Sequence, residues 1–262
     1  GQNKLNIKKP ASINSNSNHE VKDLEIKEDI LLADSIEYME KLHKKYPNGV
    51  FDLVFADPPY NLAKNYNGYS DTKTWKDYVS WCNKWLGLMS KILKPGGALL
   101  VLNIPKWAVY HAEYLNQRME FRHWIVWDAM STPAGKLMPS HYSLLYYTKP
   151  GAKPKSNLEK IGLIDSRVYC LRNNCIQIRK KGRFDKKEPL SDIWHDIHRI
   201  KHKKDRDAHP CQLPTKLMDR IIQLTSYEGD WVYDPFGGAG TTAMSAKIKK
   251  RHFIISDMDK KY

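Results

Sequence analysis

From Ile30 onward the chain alternates short apolar runs with amphipathic stretches, and nothing else in the sequence narrows the fold as much. A short apolar run bounded by polar residues reads as a buried strand. Apolar residues recurring every three or four positions read as a helix that covers one. Repeating the two in turn predicts an α/β protein with a doubly wound sheet and helices on both faces. The expected strands are Ile30 to Ala33, Phe51 to Ala56, Ala98 to Leu102, Trp124 to Trp127, Leu144 to Tyr147, Trp231 to Tyr233 and Phe253 to Ser256. Between them, Ile36, Met39 and Leu42 mark a first helix that Ser35 is able to cap. A second carries Trp75, Tyr78, Val79, Cys82, Trp85, Leu86, Met89 and Leu93 on one face, and Pro95-Gly96-Gly97 is expected to stop it. Further helices are expected at Ala108 to Gln117, Pro214 to Thr225 and Gly240 to Lys249.

The charge is lopsided: 43 Lys and Arg stand against 29 Asp and Glu, for a net +14. A fold has no use for such a surplus, so it implies a polyanionic partner, nucleic acid first. Residues 153–206 hold 16 of the basic and 7 of the acidic residues, so most of the surplus sits in one stretch. The organisation that follows is a polar arm at 1–22, a first half of the main domain at 23–150, a basic insertion at 151–206 and a second half at 207–262. The longest apolar run, Ala98 to Leu102, is far too short for a membrane span. With only four cysteines, the chain reads as soluble, reduced and cytoplasmic. Cys170 and Cys175, with His195, His198 and His202, raise the question of zinc, but the Cys spacing is at the wide edge of usual ligand spacings, the histidines lack a matching partner pattern, and no metal is expected.

Two motifs carry chemistry. Asp234-Pro235-Phe236-Gly237-Gly238-Ala239-Gly240-Thr241-Thr242 lies between an expected strand and an expected helix, and Gly238, Gly240 and Ala243 fit the dinucleotide fingerprint. Missing side chains there admit a ligand to the backbone and to a helix N-terminus. Asp257, 19 residues beyond Gly238, or Asp259 is placed to bind ribose hydroxyls. The second motif, Asp57-Pro58-Pro59-Tyr60, ends a buried strand. Two prolines withhold two backbone donors, so nearby carbonyls and the Asp57 carboxylate form a set of acceptors beside an aromatic ring. An amino group on an aromatic ring suits that set. Ligands of doubly wound sheets gather outside the carboxyl ends of the strands, so both motifs are expected to share one cleft.

DPPYN at Asp57 to Asn61, followed downstream by DPFGGAGTT at Asp234 to Thr242, resembles the S-adenosylmethionine-dependent DNA amino-methyltransferases. The order, catalytic motif before cofactor glycines, is that of their β class. The resemblance runs from about Asp29 to Tyr262. It implies a Rossmann-like sheet in circularly permuted order, with the break between the Phe253 to Ser256 and Ile30 to Ala33 strands. It also implies S-adenosylmethionine as cofactor, double-stranded DNA as substrate and flipping of the target base. Cofactor contacts are then expected from the backbone of Phe236, Gly237, Gly238 and Gly240, from Thr241 or Thr242 and Lys216 near the methionine carboxylate, and from Asp57. Asp257 would hold ribose, Asp34 would lie near adenine, and Gln212 belongs to the cofactor-side segment His209 to Pro214. Catalysis would rest on Asp57, Pro58, Pro59 and Tyr60. Asp as first residue of the quartet favours adenine N6 over cytosine N4. The chain departs from the family in having His141-Tyr142 where His-Glu is usual, and Asp257 where Glu is commoner.

DNA contacts are expected in two places. The polar loop Asn61 to Thr74, with Asn61 and Lys64, follows the catalytic motif and is long enough to close over a flipped base. The basic insertion would recognise the target through Arg179, Lys180, Lys181, Arg183, Arg199, Lys201, Lys203 and Lys204. By resemblance, a homodimer and a cognate restriction endonuclease are the expected protein partners, in a bacterial or phage-type nucleoid setting. Cytosine-N4 or RNA-adenine methylation, a non-catalytic DNA-binding module and a nicotinamide oxidoreductase are the alternatives; the last two leave one motif or the other idle.

Overall fold

The structure is a computed structural model that describes residues 26–62, 65–66, 69–70, 72–129, 140–165, 187–199 and 213–258. Its strands are β1 (Asp29–Leu32), β2 (Phe51–Ala56), β3 (Asn65–Tyr66), β4 (Tyr69–Ser70), β5 (Leu93–Asn103), β6 (Glu120–Asp128), β7 (His141–Thr148), β8 (Leu163–Asp165), β9 (Lys187–Pro189), β10 (Ile193–Trp194), β11 (Trp231–Asp234) and β12 (His252–Asp257). The helices are α1 (Ser35–Lys45), α2 (Trp75–Ile92), α3 (Pro105–Asn116), α4 (Leu158–Ile161), α5 (Thr215–Thr225) and α6 (Thr241–Ile248). Eight strands form one sheet in the order β1-β12-β11-β2-β5-β7-β6-β10, while β3–β4 and β8–β9 form small separate ribbons.

The main sheet is mixed. β1, β12, β11, β2 and β5 run parallel to one another, and β7 is antiparallel to both β5 and β6. The alternation did not reveal this reversal. Its physical reason is that β6 and β7 follow each other with no helical pattern between, and Pro133, Gly135 and Pro139 break the intervening sequence; only antiparallel neighbours can be joined without a crossover helix. α1, α2 and α3 cover one face through Met39, Leu42, Tyr78, Trp85, Leu86 and Trp107. α5 and α6 cover the other through Leu217, Met218, Ile221, Ile222 and Ala246. β2 is buried at all six positions, as its sequence requires, and its acid Asp52 has partners there. Burial alone would raise the Asp52 pKa, but Lys155 and Lys94, both at 2.8 Å, and the Trp231 amide hold it below the ordinary carboxylate value.

Two local expectations are corrected. Asp34, not Ser35, caps α1: its Oδ1 accepts from the Ile36 and Glu37 amides at 2.8 and 3.1 Å, while the Ser35 hydroxyl turns to the Pro235 carbonyl. Pro95-Gly96-Gly97 does not end a helix but lies inside β5, which starts directly after Ile92. The register against β2 shifts there, and Gly96 adopts a left-handed φ of 77°, so the irregular triplet is absorbed as a bulge.

β1 pairs in parallel with β12, Leu32 opposite Asp257, so the strands on either side of the expected permutation break are neighbours. Within 151–206, the described residues are bound into this body. β10 adds to the sheet edge beside β6, Trp194 is buried, and the Trp127 indole donates to the Ile197 carbonyl at 2.7 Å. Asp196 holds Arg220 of α5 through two hydrogen bonds of 2.8 and 2.6 Å, and the guanidinium lies over the Trp194 ring. No helix among the described residues is long and apolar enough to cross a membrane.

Candidate active site

β11 and β2 are adjacent parallel strands, with Tyr233 opposite Val54, so the segments leaving their carboxyl ends emerge side by side. These segments are the glycine turn after Asp234 and the Asp57–Tyr60 turn. Helices leave for opposite faces on the two sides of this pair, which makes it the crevice of the sheet.

The glycine turn is tied down from within. Asp234 accepts from the Phe236 amide at 2.9 Å and from the Thr242 hydroxyl at 2.5 Å. Complete burial raises its pKa to about 7, and the nearby Asp257 carboxylate adds to that rise while the Thr242 and Phe236 bonds oppose it. Thr242 is therefore engaged with the motif's own acid, and Thr241 is buried beside it. Gly237 donates to the Ser256 carbonyl at 3.0 Å. A methyl group there would lie 2.9 Å from Ile255 Cβ, so this position has no room for a side chain. Gly240 caps α6 with a φ of 77°, in the region that excludes most side chains. No side chain caps α6, which leaves its first amides for an anionic ligand group.

Asp257 ends β12 and accepts from the Gly238 amide at 2.8 Å. Asp34 lies at the end of the neighbouring strand, and Ala33 donates to the Asp257 carbonyl at 3.0 Å. Only Oδ1 of Asp34 is used in capping. Phe236 packs edge-on against Trp85 and Trp81 of α2, at 5.3 and 5.8 Å between ring centroids. Two strand-end acids, a glycine turn and an aromatic wall thus surround one end of the crevice.

At the Asp57–Tyr60 turn, the Tyr60 hydroxyl donates to Asp57 Oδ1 at 2.5 Å. The Pro59 carbonyl accepts from the Tyr78 hydroxyl at 2.6 Å, and the Tyr60 carbonyl from the Trp107 indole at 2.7 Å. Among the described residues nothing donates to the Pro58 carbonyl. Tyr142 places its ring 5.8 Å from that of Tyr60 and stacks on Trp127 at 5.2 Å.

The profile of the N6/N4 DNA methylase family matches residues 51–262, which include both turns and Asp257 but not β1 or Asp34. The chain belongs to that family. It is 41% identical over 223 residues to the type II methyltransferase M.BamHI of Bacillus amyloliquefaciens, a match covering 82% of this chain and 51% of that protein. It therefore spans about half the length of this relative. It is 29% identical over 227 residues to the DNA adenine methyltransferase YhdJ of Escherichia coli K12, covering 84% of this chain and 76% of that one. Its fold is that of the solved M1.HpyAVI complex with S-adenosylmethionine, with a TM-score of 0.60 at 20% identity, over 89% of this chain and 94% of the other.

The structure also shows contacts of other residues singled out in the sequence. Asn61, with a left-handed φ of 54°, gives both amide atoms to Lys73, donating to its carbonyl and accepting from its amide at 2.8 Å each. It closes the neck of the loop that follows the Asp57 turn. Lys216 donates to the Asp196 carbonyl at 2.9 Å and pairs with its carboxylate at 3.0 Å. This engagement is with the 193–199 segment. Arg199 is half-buried at the end of that segment. Lys64, Arg179, Lys180, Lys181, Arg183, Lys201, Lys203, Lys204, Gln212 and Asp259 lie outside the described residues, as do Cys170, Cys175 and His202. Among the described residues no cluster of His, Cys, Asp or Glu is suited to a metal.

Sequence reasoning missed Tyr78, Asn103, Trp107, His111 and Tyr142. One signal was present: Asn103 is a polar residue closing an apolar strand at its carboxyl end, where ligands gather.

Proposed function

We propose that this methylase transfers a methyl group from S-adenosylmethionine to an exocyclic amine of a base flipped from double-stranded DNA, with adenine N6 as target. The observation that carries the reading is the pairing, on adjacent strand ends, of a glycine turn with a turn in which the Pro58 carbonyl, to which nothing donates among the described residues, follows the Asp57 carboxylate.

The residues present fit the cofactor. Gly237 has no space for a side chain, the α6 N-terminus is uncapped, and Asp257 and Asp34 sit together at neighbouring strand ends. Gly237, Gly238 and Gly240 would cradle it, Asp257 and Asp34 would hold its nucleoside, and Phe236 would wall it. Bound there, it supplies a methyl carbon made electrophilic by a sulfonium, and transfer forms one N–C bond as one C–S bond breaks.

The amine's lone pair is delocalised into the base ring and is a poor nucleophile. Asp57 and the Pro58 carbonyl each accept one N–H, which fixes the amine and draws electron density toward its nitrogen. This is positioning and electrostatics, with no covalent enzyme intermediate. Tyr60 exchanges its bond to Asp57 for a stacking role on the flipped base, offsetting part of an unstacking cost of about a few kcal/mol. The proton finally lost leaves through Asp57 or to water.

The aspartate at position 57 and the likeness to an adenine methyltransferase support N6. One observation favours a second reading, cytosine N4: the Tyr142 ring occupies space beside Tyr60, which suits a single-ring pyrimidine. Methyl transfer from labelled S-adenosylmethionine to unmethylated duplex DNA, with the nucleosides separated by mass, decides between them. Label in N6-methyladenine is the expected result. Label in N4-methylcytosine would keep the chemistry and replace the base. An Asp57→Ala variant with near-normal transfer would refute the mechanism.

A further inference from the structure

Beneath the Asp57–Tyr60 turn runs a chain of buried polar side chains to which the proposed reaction assigns no role. Asn103, fully buried at the end of β5, accepts from the Ile104 amide through Oδ1 at 2.8 Å. Its Nδ2 group therefore faces Tyr78 Oη at 3.2 Å and His111 Nε2 at 3.0 Å. A side-chain amide nitrogen only donates, so both of these atoms accept from it. The Tyr78 hydroxyl proton is left for the Pro59 carbonyl, 2.6 Å away. His111 must then carry its proton on Nδ1, and complete burial lowers its pKa to about 3, which keeps the ring neutral. Each step has one allowed direction, so the whole chain has a single arrangement.

Packing does not ask for this. Tyr78 and Trp107 are at most 1% exposed, their rings touch at 4.5 Å between centroids, and the surroundings are Trp85, Cys82, Leu115 and Ala108. A Phe at 78 and a Leu at 103 would fill similar volume with fewer buried polar atoms to satisfy. The present arrangement even leaves His111 Nδ1 buried without a partner among the described residues. What it does deliver is two donors, from α2 and α3, to two consecutive carbonyls of the Asp57–Tyr60 turn.

We infer that Tyr78, oriented by Asn103 and His111, is a positioning residue for methyl transfer. It fixes the Pro59 carbonyl, as Trp107 fixes that of Tyr60, so that the Pro58 carbonyl alone among the three is presented to the target amine. The inference rests on the proposed amino-methyltransferase reading and adds to it the residues that set its acceptor geometry. The effect belongs in turnover, because the turn's acceptors matter most once the amine begins to react.

The test uses the full chain and steady-state methyl transfer to DNA. Tyr78→Phe removes one oxygen and keeps the ring. It should lower kcat about tenfold or more, while KM for DNA and the cofactor Kd measured by calorimetry stay within about twofold. Trp107→Phe should show the same split by a separate bond. Asn103→Ala should lower kcat alone but add little on the Tyr78→Phe background, since Asn103 acts through that hydroxyl. Wild-type kcat in Tyr78→Phe, or losses shared between kcat, KM and cofactor Kd, would overturn the inference and leave the function standing. So would additive losses in the Asn103 and Tyr78 pair. A wild-type chain that methylates no DNA base would overturn the functional reading, and this inference with it.

Discussion

Gly237→Ala should cripple the cofactor turn through a contact that has nowhere to go. The added methyl would sit 2.9 Å from Ile255 Cβ, 3.0 Å from its Cδ1 and 3.3 Å from its Cγ1. Ordinary carbon contacts fall at about 3.5–4.0 Å, so the turn and β12 must separate by roughly half an ångström or more. Ile255 is 2% exposed, and its Cβ is fixed to a strand paired with β11 and next to β1, so rotating the side chain does not relieve the clash. Overpacking of this kind costs about 1–3 kcal/mol. For a chain of this size that corresponds to roughly 2–10 °C in melting temperature. The same displacement pulls the Gly238 amide from Asp257, now 2.8 Å apart, and disturbs the backbone around the cofactor. Cofactor affinity should fall at least about tenfold, or 1.4 kcal/mol. Thermal melting without ligand and calorimetric titration with S-adenosylmethionine measure the two effects. Gly229→Ala is the control: its φ is 85°, nothing lies within 4 Å of an added Cβ, and it should lower stability slightly with cofactor affinity intact. A Gly237→Ala protein that melts and binds like wild type would refute the reasoning.

Three further outcomes are expected. The Asp234 pKa of about 7 lies above the ordinary 3.8, so the folded chain holds a proton that the unfolded chain has released; this contribution is full below about pH 4 and is lost as pH rises to about 7, by about 1.4 kcal/mol per unit. Asp234→Asn cannot ionise yet still accepts from Phe236, so melting curves between pH 4 and 7 should fall less steeply than those of wild type, and parallel curves would count against the assignment. Arg220→Met leaves the 3% exposed Asp196 carboxylate with Lys216 as its remaining ion-pair partner, which should cost about 3 kcal/mol in urea unfolding, with Asp196→Leu recovering much of it in the double variant. Lys216→Ala, at a position more than half exposed and already paired with Asp196, should leave cofactor Kd within about twofold, and a tenfold loss would return Lys216 to the cofactor site.

The parts of the site legible in the sequence were those written in short-range pattern. β2 followed by Asp57-Pro58-Pro59, β11 followed by glycines, and β12 ending at Asp257 are each a strand signal joined to a turn signal, and strand periodicity places such turns at one end of a sheet. The order of the two motifs also announced that β12 and β1 would be neighbours. Contacts between distant segments left no such trace. Tyr78 lay on the buried face that its helical spacing gives it, but its hydroxyl's bond to Pro59 joins residues 19 apart, and the Trp107 bond to Tyr60 joins residues 47 apart. The ion pair of Lys216 with the Asp196 carboxylate, twenty residues upstream, is another contact of this kind. The two bonds by which Asn61, with a left-handed backbone, clasps Lys73 twelve residues on could not be read from its type either. Strand direction was hidden for a related reason: β7 has the apolar run of any buried strand, and only the lack of a helical pattern in the sequence before it marks its reversal.

The bond from Tyr60 to Asp57 makes admission to the site an exchange. On the proposed reading, an arriving base displaces the donor that Asp57 Oδ1 already holds, so it must bring a donor of its own. Adenine and cytosine do, through their amino groups. Guanine and thymine present carbonyl oxygens at the corresponding edge, and these would meet the carboxylate and the Pro58 carbonyl lone pair to lone pair. Every base has a face that can stack on a tyrosine, so stacking alone discriminates weakly. On the proposed reading, the methylase sorts bases by what they donate before it reads their shape.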